Sequence, residues 1–141
     1  MTEQIAQITP EQYAFAENAL HSLPFAKLIG MKLVALHPDE AVISIEMRDD
    51  LRQPSGVLHG GVTATLIDTA MAFAVRTRLP IDEATATIDL TVHYLRSHIT
   101  GTFICTAKIV RAGKRIFTVS ADVVNEKGKL LATGLSTYTR V

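Results

Sequence analysis

The chain has 141 residues, which predicts a single domain over residues 1–141. Its 14 basic and 14 acidic residues cancel, which argues against a nucleic-acid partner, and no apolar run reaches the roughly 18 residues of a membrane span. The single cysteine, Cys105, excludes an intrachain disulfide, and residues 1–5 lack the basic-then-apolar pattern of a secretory signal, so a cytoplasmic location is expected.

The first predicted elements are a helix and two strands. The helix covers about residues 10–21, because Thr9 can cap it, Pro10 suits the first helical position and Gln12 completes a capping box. The strands are predicted over residues 32–37 and 41–48. The second alternates apolar and polar side chains, and this period of two indicates a strand with one covered face.

The central stretch is a glycine-rich turn followed by a helix over about residues 60–77. The turn holds His59, and the helix is apolar on nearly every side, which is typical of a buried helix. One carboxylate, Asp68, interrupts it. Because a buried carboxylate is costly unless it is paired or used, Asp68 is the first candidate for a functional residue.

Four long strands are predicted to close the chain, over residues 85–95, 102–111, 115–125 and 129–139. Short connections suggest that they follow one another as an antiparallel meander. The fold class is therefore α+β: one antiparallel sheet of about six strands curls around the single buried helix.

The start of the central helix has the features of an oxyanion-binding site. Gly60 and Gly61 carry N–H groups without intrahelical partners, and the helix dipole favours negative charge there. Asp68 lies about 12 Å further along the helix axis, at about 1.5 Å per residue. One chain's Asp68 is thus badly placed to serve its own Gly60, and two antiparallel chains would form paired sites across a two-fold interface.

A family resemblance rests on the same residues. The pattern Gln53-x5-His59-Gly60-Gly61-x6-Asp68, followed by a strand containing Thr87-Ile-Asp-Leu-x-x-x-Tyr94, resembles the hotdog-fold acyl-CoA thioesterases of the phenylacetate-degradation (PaaI) type. The resemblance extends from about Gly30 to the C-terminus. It implies hydrolysis of an acyl-CoA to a free acid and CoA, with no metal or organic cofactor, in a homodimer or a dimer of dimers.

The resemblance also implies roles for individual residues. Asp68 matches the catalytic carboxylate, as general base or nucleophile, and the Gly60 N–H matches the donor to the thioester oxygen. His59 orients that loop, although a purely capping histidine is the open alternative. Gln53 would position water or substrate, and Thr87 falls where some relatives have a hydroxyl that aids the attacking water.

Further residues are predicted to bind the substrate. Gly61 and Thr69 are expected to border the substrate. Aryl-CoA relatives often have Ser or Thr one turn after the acid, whereas this chain has Ala72 there and Thr69 directly after the acid. A basic cluster at the turn between two strands is expected to meet CoA phosphates, with a solvated turn as the alternative. It consists of Arg111, Lys114 and Arg115.

The sequence is also compatible with two other functions. One is a dehydratase or hydratase of the same fold, acting on β-hydroxyacyl thioesters. The other is a non-catalytic acyl-CoA-binding protein. A metal site is not expected, because His93 and His98 lack the spacing of metal ligands and no cysteine joins them.

Overall fold

A computed structural model describes residues 7–141 of the chain. Residues 1–5, on which the expectation about a secretory signal rests, lie outside the described residues. The helices and strands are α1 (Pro10–Ser22), α2 (Pro24–Ile29), β1 (Lys32–His37), β2 (Glu40–Glu46), α3 (Gly60–Arg76), β3 (Thr85–Tyr94), β4 (Thr102–Ala112), β5 (Ile116–Asn125) and β6 (Leu130–Arg140), with a 3-10 turn at Asp49–Leu51.

The predicted capping box at the start of α1 is confirmed. The Thr9 side chain accepts a hydrogen bond from the Gln12 N–H at 3.1 Å, and the Gln12 side chain accepts one from the Thr9 N–H at 2.8 Å. Pro10 occupies the first helical position, where its missing N–H costs nothing. The local sequence is therefore sufficient to start this helix.

The six strands form one antiparallel sheet in the order β1-β2-β4-β5-β6-β3. The predicted meander holds for β4, β5 and β6 but is wrong for β3, which pairs with β6 along its whole length. Residues 95–101 carry the chain from β3 to β4, and a segment of that length can reach about 23 Å, whereas three strand spacings need only about 14 Å. Alternation along a strand does not identify its neighbour, which is why the sequence suggested adjacency.

Helix α3 packs against one side of the sheet and contributes many of the buried residues of the core. Its buried side chains include Leu66, Ile67, Met71 and Val75. Gly134 of β6 allows the closest approach, because a Cβ atom there would lie 2.9 Å from Cγ2 of Ile67. The sheet is therefore shaped to receive this helix.

The expectation that α3 is buried on every side is wrong. One side of the helix stays partly exposed, and Asp68 on it is half-buried rather than buried. The residues on this side are Gly61, Ala64, Thr65, Asp68, Thr69, Ala72 and Arg76. Their spacing of three and four positions defines one continuous face. This face carries Thr65, Asp68, Thr69 and Arg76, and a single chain leaves it partly exposed.

Candidate active site

The N-terminal end of α3 presents one N–H group that no described residue uses. The His59 Nδ1 atom accepts a hydrogen bond from the Gly61 N–H at 2.9 Å. The His59 carbonyl accepts from the N–H groups of Val62 and Thr63 at 2.9 and 3.4 Å. Since Nδ1 is the acceptor, the neutral His59 ring carries its proton on Nε2. Within residues 7–141, the Gly60 N–H alone in this first turn has no acceptor.

A cavity of about 530 Å³ opens beside Gly60. Gly60, Gly61 and Gln53 border it, and its apolar wall includes Leu58, Leu95, Phe103 and Leu131. The Tyr94 hydroxyl donates to the Gly60 carbonyl at 2.6 Å, and a Cβ atom at Gly60 would lie 3.3 Å from the Tyr94 ring. Tyr94 therefore packs directly on Gly60 and fixes the position of its peptide.

The loop that carries Gln53 is held by Arg52, for which the sequence predicted no role. The guanidinium of Arg52 donates to the carbonyls of Gly56 and Ile99, both at 2.6 Å. The Gln53 amide donates to the Ser55 hydroxyl at 2.8 Å. Gln53 thus borders the cavity from an anchored loop, and its role in positioning water or substrate stays a prediction.

His98 also borders the cavity, although from the sequence it was considered only as a metal ligand. The Asn125 carboxamide oxygen accepts the N–H groups of Lys127 and Lys129 at 3.0 and 2.9 Å. The Asn125 amino group must therefore be the donor in its 3.2 Å contact with His98 Nε2. This places the proton of the neutral His98 ring on Nδ1.

Asp68 is held by two hydroxyl groups from the sheet. Thr87 donates to Asp68 Oδ1 at 2.8 Å. The Tyr138 hydroxyl lies 2.5 Å from Asp68 Oδ1 and 2.6 Å from the Asp68 carbonyl oxygen, so it shares its one proton between these two acceptors. Tyr138 is 1% exposed, and burial, reinforced by the hydrogen bond with Asp68, raises the pKa of Tyr138 far above its usual value. Its hydroxyl is therefore a neutral donor at physiological pH.

Thr87 was predicted from the sequence, whereas Tyr138 was missed. The available signal was the alternation in β6, where Ala132, Gly134, Ser136 and Tyr138 share one side of the strand. A tyrosine on the buried side of a strand needs a hydrogen-bond partner for its hydroxyl. The nearest candidate would have been the one carboxylate on the helix that this side covers.

One chain does not bring the two halves of the predicted site together. Asp68 is absent from the lining of the cavity beside Gly60, and the two residues are about 12 Å apart along the helix axis. Thr69 is half-buried next to Asp68. The structure thus separates the donor end, with Gly60 and Gln53, from the carboxylate, with Thr87 and Tyr138.

The basic cluster Arg111, Lys114 and Arg115 lies at the turn between β4 and β5 and is largely exposed. It lies far from its own cavity, since Arg111 follows the cavity residue Phe103 by about 26 Å of extended strand. It lies instead near the carboxylate, because Phe117, two residues after Arg115, pairs with Tyr138. The cluster and Asp68 are therefore at the same end of the sheet.

Residues 7–141 contain neither a metal site nor a membrane-spanning helix. No group of three histidine, cysteine or acidic side chains among them could hold a metal ion. None of the described helices is long and apolar enough to cross a bilayer.

Residues 55–132 match the thioesterase superfamily, a segment that includes His59, Gly60 and Asp68 as well as most of the sheet. The chain belongs to the thioesterase superfamily. This confirms the resemblance drawn from the His-Gly-Gly and aspartate pattern. The individual residue roles carried over from that resemblance stay predictions.

Three relatives illustrate the similarity. The chain is 28% identical over 103 residues to the 1,4-dihydroxy-2-naphthoyl-CoA hydrolase of Listeria monocytogenes, covering 73% of this chain and 84% of that protein. It is 29% identical over 119 residues to human acyl-coenzyme A thioesterase 13, covering 80% and 82%. The solved structure of a point variant of phenylacetic acid degradation protein PaaI from Thermus thermophilus superposes with a TM-score of 0.77 at 32% identity, covering 84% and 100%. The fold is therefore the predicted hotdog fold.

Proposed function

We propose that the protein hydrolyses acyl-CoA thioesters to a free acid and CoA. The observation that carries this proposal is the unpaired Gly60 N–H at the wall of a cavity of about 530 Å³. The same helix carries Asp68, whose carboxylate contacts the Thr87 and Tyr138 hydroxyls. Membership of the thioesterase superfamily supports the reaction class. The CoA hydrolase and acyl-CoA thioesterase among the relatives support CoA as the carrier.

In this mechanism the thioester carbonyl accepts a hydrogen bond from the Gly60 N–H. Asp68 takes a proton from water, and the resulting hydroxide adds to the carbonyl carbon. The negative charge that develops on the carbonyl oxygen is stabilised by the Gly60 N–H and by the positive end of the α3 dipole. The C–S bond then breaks, and the proton held by Asp68 passes to the CoA thiolate.

The mechanism needs a second copy of the chain, because one chain separates Gly60 from Asp68. The partly exposed side of α3 supports such a copy, since its small residues Ala64 and Ala72 would let another helix approach closely. Strand β3 supports it as well. It lies at the edge of the sheet, and Ile88 and Tyr94 on it are 55% and 56% exposed. Two antiparallel copies would bring the Asp68 of one near the Gly60 of the other.

The same arrangement gives the basic cluster a role. Arg111, Lys114 and Arg115 lie at the end of the sheet that carries Asp68. In the proposed dimer this end faces the partner's cavity. The cluster would then contact the phosphates of a CoA whose thioester lies against the partner's Gly60.

A free-thiol assay with a panel of acyl-CoAs tests the function directly, with aryl and medium-chain members side by side. Steady release of CoA supports the thioesterase. Addition or loss of water without thiol release would identify a dehydratase or hydratase, and saturable binding without either would identify an acyl-CoA-binding protein. The last two outcomes contradict the proposal.

Replacing the carboxylate tests the mechanism. Asp68→Asn should lower kcat by about 10²- to 10⁴-fold, the usual contribution of general acid–base catalysis. Asp82→Asn is the matched control, since this exposed loop carboxylate makes no contact with the site. Full turnover by Asp68→Asn on the best acyl-CoA would show that the assignment of Asp68 is wrong.

A further inference from the structure

The two oxygens of the Asp68 carboxylate have different surroundings. Oδ1 accepts a hydrogen bond from Thr87, and it shares the Tyr138 hydroxyl proton with the Asp68 carbonyl oxygen. Oδ2 accepts none from any residue between 7 and 141. The carboxylate is therefore held through one oxygen while the other is left available.

The strand register of the sheet places the two hydroxyl groups beside Asp68. Thr87 of β3 and Tyr138 of β6 are directly paired across the two strands, so both hydroxyls reach the same atom from adjacent positions. A bulge in β3 between Thr87 and Asp89 shifts the register at this point. The Ser136 hydroxyl donates to the Asp89 carbonyl, and Asp89 Oδ1 accepts the Thr137 N–H at 2.8 Å. These hydrogen bonds hold the bulge in place, and the bulge in turn sets the position of Thr87.

We propose that Tyr138 is a positioning residue for thioester hydrolysis: together with Thr87 it fixes Asp68 through Oδ1, so that Oδ2 is the oxygen that accepts the proton of the attacking water. This inference rests on the proposed function and goes beyond it by assigning a role to a residue in the core of the sheet. It also changes the role of Thr87. Its hydroxyl proton is used on Oδ1, so Thr87 holds the carboxylate rather than donating to the water.

The physical reason for such a clamp is orientation. A carboxylate attached by one oxygen cannot rotate freely, so the reactive oxygen keeps its direction toward the substrate. Tyr138 suits this task because burial raises its pKa far above the usual value, so its hydroxyl keeps its proton at physiological pH.

Tyr138→Phe and Thr87→Val test the clamp, because each removes one hydroxyl and keeps the approximate shape of the side chain. Tyr138→Phe should lower kcat by roughly 10- to 100-fold, the effect of losing one hydrogen bond to a charged group. KM should change by no more than about twofold, since Tyr138 does not contact the substrate. Tyr13→Phe and Thr91→Val are matched controls. The Tyr13 hydroxyl makes only long contacts, of 3.5 Å, with the carbonyls of Leu33 and Val34.

The separate effects on kcat and KM distinguish positioning from a merely structural role. Loss of the contacts at Oδ1 should lower kcat of the folded enzyme and leave KM unchanged in both Tyr138→Phe and Thr87→Val. A variant that is only less stable keeps the wild-type kcat at temperatures where it is folded, which thermal unfolding establishes. Thr87→Val carries the test if Tyr138→Phe does not fold, because Thr87 is exposed.

The outcomes for the clamp and for the proposed function are distinct. If Asp68→Asn is inactive while folded Tyr138→Phe and Thr87→Val both keep the wild-type kcat, the clamp is wrong and the function stands. If Asp68→Asn retains full turnover, the function itself is wrong. Loss of kcat at unchanged KM in the two folded clamp variants, and not in their controls, supports the inference.

Discussion

The N-terminal end of α3 and the middle of the same helix are built in opposite ways. At the N-terminal end the contact that shapes the site is local, since His59 Nδ1 accepts the N–H of a residue only two positions away. In the middle, Asp68 is held by hydroxyls that lie 19 and 70 positions away along the chain. The cap of the donor end therefore depends on a short stretch of sequence, although Tyr94 of β3 also holds the Gly60 peptide. The contacts of the carboxylate depend entirely on the assembled sheet.

In the proposed dimer, this difference lets one helix contribute to two sites. The donor end opens into its own chain's cavity, but the carboxylate lies on the side of α3 that one chain leaves partly exposed. The two halves are about 12 Å apart, so each is incomplete alone. A second copy would give each half what it lacks.

Complementation between two inactive variants should produce the largest change in enzymatic activity. A Gly60→Pro chain lacks the N–H but has Asp68, and an Asp68→Asn chain has the N–H but lacks the carboxylate. A mixed dimer, purified through two different tags, then contains one intact site and should show about half of the wild-type kcat per dimer. Each parent alone should be nearly inactive in the free-thiol assay.

The control for complementation is a mixed dimer in which both chains carry Asp68→Asn. It has no intact carboxylate and should stay inactive. If mixed dimers of the two different variants were no more active than their parents, the site would not be shared between chains. The thioesterase assignment would survive that result.

The N–H of Gly60 can be tested by itself with two substitutions. Gly60→Pro removes the N–H at a helical position that proline tolerates, and the extended backbone of His59, with φ −61° and ψ 130°, suits a residue before proline. Loss of one oxyanion donor should lower kcat by about 10²- to 10³-fold. Gly60→Ala keeps the N–H and adds the same Cβ contact with Tyr94. Equal losses of kcat in the two variants would show that crowding, not the N–H, is responsible.

The local origin of the donor end is the reason that it could be predicted from the sequence. A glycine pair after a histidine marks a helix start, and Thr9, Pro10 and Gln12 mark another, because caps are made by neighbours in sequence. The strands were found for the same reason, since alternation is a local pattern. The family resemblance added the reaction class, which the superfamily match confirms.

The rest of the site depends on contacts between distant parts of the chain. The pairing of β3 with β6 rather than β4 brings Thr87 beside Tyr138, and no pattern within either strand indicates it. Tyr138 was missed for that reason. The exposure of Asp68 was also misjudged, because the helix was interpreted from its overall apolar composition, whereas Thr65, Asp68, Thr69 and Arg76 share one side of it.

The basic cluster should have a smaller effect, and on binding rather than on chemistry. A variant with alanine at Arg111, Lys114 and Arg115 should raise KM for an acyl-CoA by about tenfold at low salt, because charge-assisted contacts with phosphates are lost. The KM for the same acyl group on N-acetylcysteamine, which lacks phosphates, should not change. Alanine at Lys127 and Lys129, at the other turn of the same sheet, is the control. Equal changes in KM for both thioesters would contradict phosphate binding.

The smallest change in activity is expected from substitutions at His59. Its size distinguishes a capping role for His59 from a chemical one. His59→Ala removes the acceptor for the Gly61 N–H and should lower the free energy of unfolding by about 1 kcal/mol, which denaturant titration measures. His59→Asn places a good N-cap residue there and should restore that stability. If the ring only orients the helix start, kcat of the asparagine variant should stay within a few-fold of the wild type. A stable but inactive asparagine variant would instead show that the imidazole, whose Nε2–H is not used by the cap, takes part in the reaction.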